Sequence, residues 1–160
     1  MDQHINRLFH VCITVPDIEE GLRFYRDVLG LKSIGSLRNE KADGKVLGFP
    51  AGEEIAVNAD HLCGQLTENA TVVDLIEYIH PKTVVGEGPY KAMNQVGITR
   101  MAFDVDNVHE LYEKLRQRGD VEILCEPMKL NSVDGGWHEV VTFKDPYGIV
   151  LELIATHRPS

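Results

Sequence analysis

At 160 residues, with 43% hydrophobic and 26% charged side chains, the chain has the size of one domain or of two small fused modules and is too apolar for disorder. Its formal charge of −9 and its lack of a Lys/Arg-rich stripe speak against a nucleic-acid surface, which must displace phosphate counterions. No apolar run nears the roughly 18 residues of a membrane helix, and MDQHINRLFH lacks the basic start and apolar core of a secretory leader. A cytoplasmic protein with neither membrane nor nucleic acid as partner is expected. The three cysteines, Cys12, Cys63 and Cys125, form no CxxC pair and read as reduced, mostly buried thiols.

In chain order, FHVCITV (9–15) reads as a strand. A helix follows, opened by Asp17 and Glu20 as a capping box. It carries Ile18, Leu22, Tyr25 and Leu29 at helical spacing and is stopped at Gly30. The segment 39–63, rich in glycine and charge, has no assigned role. VVDLIEY (72–78) reads as a closing strand, and Pro81–Gly97, with Gly86, Gly88 and Pro89, as a linker.

The pattern then repeats. TRMAFDVDNVHELYEKL (99–115) lies over residues 9–25 at an offset of 90. Asn107 and Glu110 stand where the first copy has Asp17 and Glu20, and Gly119 is the second expected helix stop. Asp145-Pro146-Tyr147-Gly148 is a turn signal between two strands. VLELIAT (150–156) answers VVDLIEY at an offset of 78, with Glu152 over Asp74. Each copy reads β-α-β-β-β, as modules 8–80 and 98–156 joined by 81–97.

Strand alternation sorts the side chains. Phe9, Val11, Ile13 and Val15 form an apolar face fit to cover a helix, while His10, Cys12 and Thr14 oppose it. The same parity puts Asp74 with Val72, Ile76 and Tyr78, Arg100 with Ala102 and Asp104, and Glu152 between Val150 and Ile154. His10, Asp74, Arg100 and Glu152 thus occupy matching positions on the faces away from the helices. Trp137 and His138, in GGWHEVV, and the glycine-containing stretches 50–52 and 134–136 could border such a space. His61 and His80 read as surface or loop residues. A buried carboxylate needs a partner, which a metal, an arginine or a ligand could supply.

With HVCITVPDIEEGLRFYRDVLGL, VVDLIEYIHP, GITRMAFDVDNVHELYEKLRQRG and FKDPYGIVLELI, the chain resembles the vicinal oxygen chelate superfamily, the group of glyoxalases, bleomycin resistance proteins and extradiol dioxygenases, over residues 8–156. The resemblance implies an α+β fold: two tandem βαβββ modules forming an open, cup-shaped mixed β-barrel with helices outside. It also implies a divalent ion (zinc, nickel, manganese, cobalt or iron) bound at the first and last strands of the modules, and a homodimer. Carried over by position, His10, Asp74 and Glu152 match metal ligands, and Arg100 stands where relatives carry His or Gln. Arginine is not a metal ligand. Three readings stay open: a three-residue metal site of His10, Asp74 and Glu152; a metal-free pocket in which Arg100 pairs with the carboxylates; or Arg100 as a clamp for a substrate anion.

The function expected from the resemblance is metal-dependent proton transfer on a small oxygenated substrate, as in an isomerase, epimerase or glyoxalase-like lyase. Glu152 and His10 would be the catalytic groups, and Arg100, Tyr78, Trp137 and His138 would contact substrate. The alternatives are a metal-free ligand-binding or drug-sequestering protein and, further off, an extradiol dioxygenase.

Overall fold

The computed structural model describes residues 7–47, 49–68, 70–86, 98, 100–131 and 136–158, in two compact units that divide at Val85/Gly86. Both are βαβββ units, as the repeat predicts, and together they make an α+β protein in which neither sheet closes on itself.

In the first unit β1 (His10–Thr14), β2 (Lys32–Asp43), β3 (Glu54–Cys63) and β4 (Val72–His80) form a mixed sheet of order β1-β4-β3-β2. β1 runs parallel to β4; β4–β3 and β3–β2 are antiparallel. Helix α1 (Ile18–Leu22) begins at Asp17, whose carboxylate accepts from Glu20 N at 2.9 Å. It continues as π-helical turns over Arg23–Val28, and Gly30, at φ +81°, ends it. Ile18, Leu22, Phe24 and Tyr25 are buried, as are Ile13, Val15, Leu62 and Leu75 of the strand segments. These apolar residues come from the helix and from one face of the β1, β3 and β4 segments, and their removal from water holds the layer together. Glu77 also faces this side, where its Oε2 accepts from Ile18 N at 3.2 Å and from Asn58 Nδ2 at 2.9 Å.

The second unit repeats the plan with β5 (Met101–Asp104), α2 (Val108–Arg116), β8 (Trp137–Lys144) and β9 (Val150–His157). The counterpart of β2 is split into β6 (Glu122–Ile123) and β7 (Met128–Asn131), both paired with β8. Asn107 caps α2, accepting from His109 N at 3.0 Å and Glu110 N at 3.3 Å. α2 stops at Arg116, before Gly119 is reached. The turn at 145–148 is held by Asp145, whose Oδ1 accepts from Tyr147 N and Ile149 N, with Gly148 at φ +82°.

Segment 39–63, to which the sequence assigns no role, is largely strand. It contains the end of β2, a short 3-10 turn at Gly44–Leu47 and all of β3. Of the expected linker, residues 81–86 are described and 87–97 lie outside the described residues, as do Asp134 and Gly135.

Candidate functional site

Register decides which side chains meet. In the first unit Cys12 is paired with Asp74 across β1–β4, and Asp74 with His61 across β4–β3. Paired residues point to the same face, so Cys12, Asp74 and His61 stand in a row across three strands. His10, two residues before Cys12, shares that face. The row lies away from α1, where His10 and Cys12 are exposed, His61 is half-buried and Asp74 is buried.

The contacts are close. Cys12 Sγ lies 3.6 Å from Asp74 Oδ2 and donates to it. His61 Nε2 lies 3.3 Å from Asp74 Oδ1. That oxygen is sealed from solvent and accepts no aligned hydrogen bond among the described residues. His10, Cys12 and Asp74 each present a ligand atom, all within 4.8 Å of one another. Burial first, then the charge and hydrogen bond of Asp74, push the Cys12 thiol above its ordinary pKa. Tyr78, further along β4 on the same face, is raised by burial and by the neighbouring Cys12 and Asp74; its ring packs on Phe49 at 5.8 Å.

In the second unit the matching row is Ala102, Glu152 and Thr142, paired across β5–β9–β8. Arg100 precedes β5, and its Nε lies 3.5 Å from Glu152 Oε2. Glu152 is 14% exposed and Arg100 52%, so this is an ion pair with one end in solvent. His138 is on the Glu152 face, its Nδ1 3.1 Å from Thr156 Oγ1. Trp137 has the opposite parity and turns to the α2 side. There it stacks on His157 at 3.7 Å, with the planes 11° apart, and Lys129 Nζ lies over its ring at 4.6 Å from the centre.

Five expected site residues therefore divide between two clusters: His10 and Asp74 with Tyr78 nearby in the first unit, Arg100 and Glu152 in the second. Two residues of the first cluster were not expected there. His61 reads in the sequence as a surface or loop residue but sits mid-strand on β3 against Asp74. Cys12 reads as one of the reduced, mostly buried thiols but is exposed and touches the same carboxylate. The signal that could have found them was available: Cys12 has the parity of His10, and His61 has that parity once β3 is recognised.

Metal fitness follows from donor chemistry. Imidazole, thiolate and carboxylate are the groups that hold zinc-like ions. The first-unit set supplies all three, with one carboxylate oxygen that accepts no hydrogen bond among the described residues; it fits a divalent ion. Arg100 has no lone pair to give, and it already stands against Glu152; that pair does not fit one by itself.

Residues 7–153 match the family model described as Glyoxalase/Bleomycin resistance protein/Dioxygenase superfamily. A probable lactoylglutathione lyase from Synechocystis sp. is 28% identical over 149 residues, covering 93% of this chain and 95% of that protein. The lactoylglutathione lyase of Salmonella typhimurium is also 28% identical, with 92% and 91% covered. Among solved structures, a glyoxalase family protein from Bacillus cereus superposes with a TM-score of 0.77 at 20% identity over 97% of each chain. The trypanothione-dependent glyoxalase I of Leishmania major gives 0.57 at 23% identity, over 94% of this chain and 87% of that one.

Proposed function

The chain belongs to the glyoxalase/bleomycin resistance protein/dioxygenase superfamily, and from that premise we propose that it is a divalent-metal-dependent enzyme of the glyoxalase type, moving a proton on a small oxygenated substrate. The observation that supports this reading is the donor set on the face of the first sheet away from α1, where His10 and Asp74, at positions that the resemblance assigns to ligands, meet in a cluster with a carboxylate oxygen that accepts no hydrogen bond among the described residues. The two lactoylglutathione lyases, similar over nearly the full chain, make lactoylglutathione chemistry the first activity to test.

A bound divalent ion would polarise substrate oxygens and lower the cost of negative charge on them. His10 and Asp74 would hold that ion. Glu152 is the carboxylate assigned to proton transfer, through Oε1 or Oε2. Arg100, half in solvent beside it, offers an anionic substrate group a planar pair of donors. Tyr78 presents a hydroxyl on the Asp74 face. A homodimer is proposed with this reading and is checked by light scattering.

The Arg100–Glu152 contact also favours a second reading, in which the protein binds a ligand without metal or turnover and Arg100 supplies the positive charge. One experiment separates the two. Untagged protein, purified without chelator, is analysed for metal by elemental mass spectrometry and assayed for lactoylglutathione formation and breakdown. About one metal per chain, lost in His10→Ala, together with activity lost in Glu152→Gln, supports the enzyme. Protein that takes up no metal after incubation with zinc, nickel, manganese, cobalt and iron sinks it and leaves the binding protein.

A further inference from the structure

On the face of the second sheet away from α2, a cation and a carboxylate stand side by side. Arg100 Nε lies 3.5 Å from Glu152 Oε2, and Glu152 has Ala102 and Thr142 as its register partners on β5 and β8. We infer that Arg100 sets the substrate class: a small carboxylate whose acidic carbon–hydrogen bond lies roughly one or two carbon–carbon bonds from the carboxylate group. This rests on the reading of Glu152 as the carboxylate that moves the proton, and goes beyond it by naming the substrate.

Stability does not account for the pair. Glu152 is 14% exposed but Arg100 is 52% exposed, and an ion pair with one end in solvent adds little. Among the described residues Glu152 is the ion partner of Arg100, and the closest contact is through Nε. A guanidinium carries five N–H donors in a planar fork, and its Nη1–Nη2 edge takes a carboxylate end-on through two parallel bonds. Arg100 therefore has a second edge to offer while Nε stays on Glu152. Ala102, two residues on from Arg100 and opposite Glu152, is exposed, so the chain puts only a methyl group beside the pair.

Adjacency then selects the substrate. An anion on one edge of Arg100 and a base on another are held by the same small planar group. A base must come within about 3–3.5 Å of the atom it acts on, so the reacting carbon lies close to the substrate's own carboxylate. α-Keto acids and half-esters of malonate have that pattern. A glutathione conjugate, whose carboxylates stand many bonds from the reacting carbon, does not. The guanidinium also offsets the repulsion that an ionised base would exert on an anionic substrate. The step is proton transfer alone. The carbon–hydrogen bond breaks, the proton goes to a Glu152 carboxylate oxygen, and the electron pair moves onto the neighbouring carbonyl oxygen as an enolate. Return of a proton to carbon restores the carbonyl and the Glu152 carboxylate.

Deuterium exchange followed by proton NMR tests this on the full-length protein with added zinc. The probes are α-ketobutyrate, its methyl ester and butanone, which share a methylene group beside a ketone and differ in the anion. Exchange of α-ketobutyrate is expected to be about 10–100-fold faster than that of the ester, the worth of a charge-assisted contact. In Arg100→Gln that ratio should fall to near one, and Arg100→Lys should restore part of it. Calorimetry reads binding separately: wild type and Glu152→Gln should bind α-ketobutyrate, Arg100→Gln at least about tenfold more weakly, and Glu152→Gln should stop exchange. Circular dichroism confirms that each variant is folded. Equal exchange of acid and ester, a ratio kept by folded Arg100→Gln, or lactoylglutathione turnover without binding of α-ketobutyrate overturns the inference and leaves the enzyme reading standing. Arg100-dependent binding with no exchange overturns the proton-transfer reading and the inference with it, leaving a carboxylate-binding protein. No binding, exchange or turnover of any probe overturns both.

Discussion

Asp60 shows how a single carboxylate can be committed to structure. It sits beside His61 on β3 but has the opposite parity, facing α1 rather than the donor cluster. Its side chain is 2% exposed; Ser33 and Ser36 donate to Oδ1 at 2.7 and 2.6 Å. Arg38 Nη1 lies 2.6 Å from Oδ2 as an ion pair and also donates to the carbonyls of Leu37 and Ala59. Burial pushes the Asp60 carboxyl up, but the two hydroxyls and the guanidinium outweigh it and hold the pKa below the ordinary value. A carboxylate depressed in the fold contributes stability above its unfolded value, about 3.9, and loses it as pH falls through the folded value. Asp60→Asn is therefore expected to destabilise the protein by about 2 kcal/mol at pH 7. The gap from wild type should close as pH falls below about 4, as read from urea midpoints over a pH series. A pH-independent gap would show that the loss is packing, not charge.

At the scale of elements, α1 is positioned by close approach. Gly21 turns its bare Cα toward the sheet, where an added Cβ would lie 2.9 Å from Leu75 Cδ2 and 3.1 Å from Val15 Cγ2. Both neighbours are fully buried and have little room to retreat. Gly21→Ala gains about 1 kcal/mol of helix propensity and incurs an overpacking cost of about 1–3 kcal/mol, so a net loss of about 1 kcal/mol is expected in chemical denaturation. A gain would mean that the helix shifts freely over β4. Elements of this kind were legible in the sequence: the FHVCITV strand, both capped helices, the 145–148 turn and the closing strands announce themselves by local period and turn chemistry. β2 and β3 did not. Every residue of Lys32–Asp43 is exposed, so β2 has no apolar face to betray it. β3 carries Asn58 and Asp60 on its helix-facing side, where a period-2 pattern demands apolar residues. Their partners, Glu77, Ser33, Ser36 and Arg38, lie on other strands, so the compensation is invisible locally. Leaving β3 unplaced hid His61, one of the four residues of the first unit's polar row.

At the scale of the whole molecule, duplication gave two βαβββ units with the same frame and different open faces. Aligned rows read His10, Cys12, Asp74, His61 in one and Arg100, Ala102, Glu152, Thr142 in the other. The shared frame is fixed by apolar periodicity, which both copies keep. The polar rows are constrained by chemistry instead, so they are free to diverge. If one row binds metal and the other is closed by its own ion pair, metal should stabilise the folded chain by linkage alone, since the unfolded chain has no assembled site. At about 100 times the dissociation constant that amounts to about 2.7 kcal/mol, or roughly 5–10 °C in melting temperature for a protein of this size. The expected outcome in scanning fluorimetry is an upward shift with zinc that His10→Ala and Asp74→Ala abolish. Arg100→Ala should retain it in full, because an exposed surface pair adds little and its loss removes no donor. If Arg100→Ala enlarged the zinc shift instead, Arg100 would be competing with the ion for Glu152, and metal binding would draw on both rows.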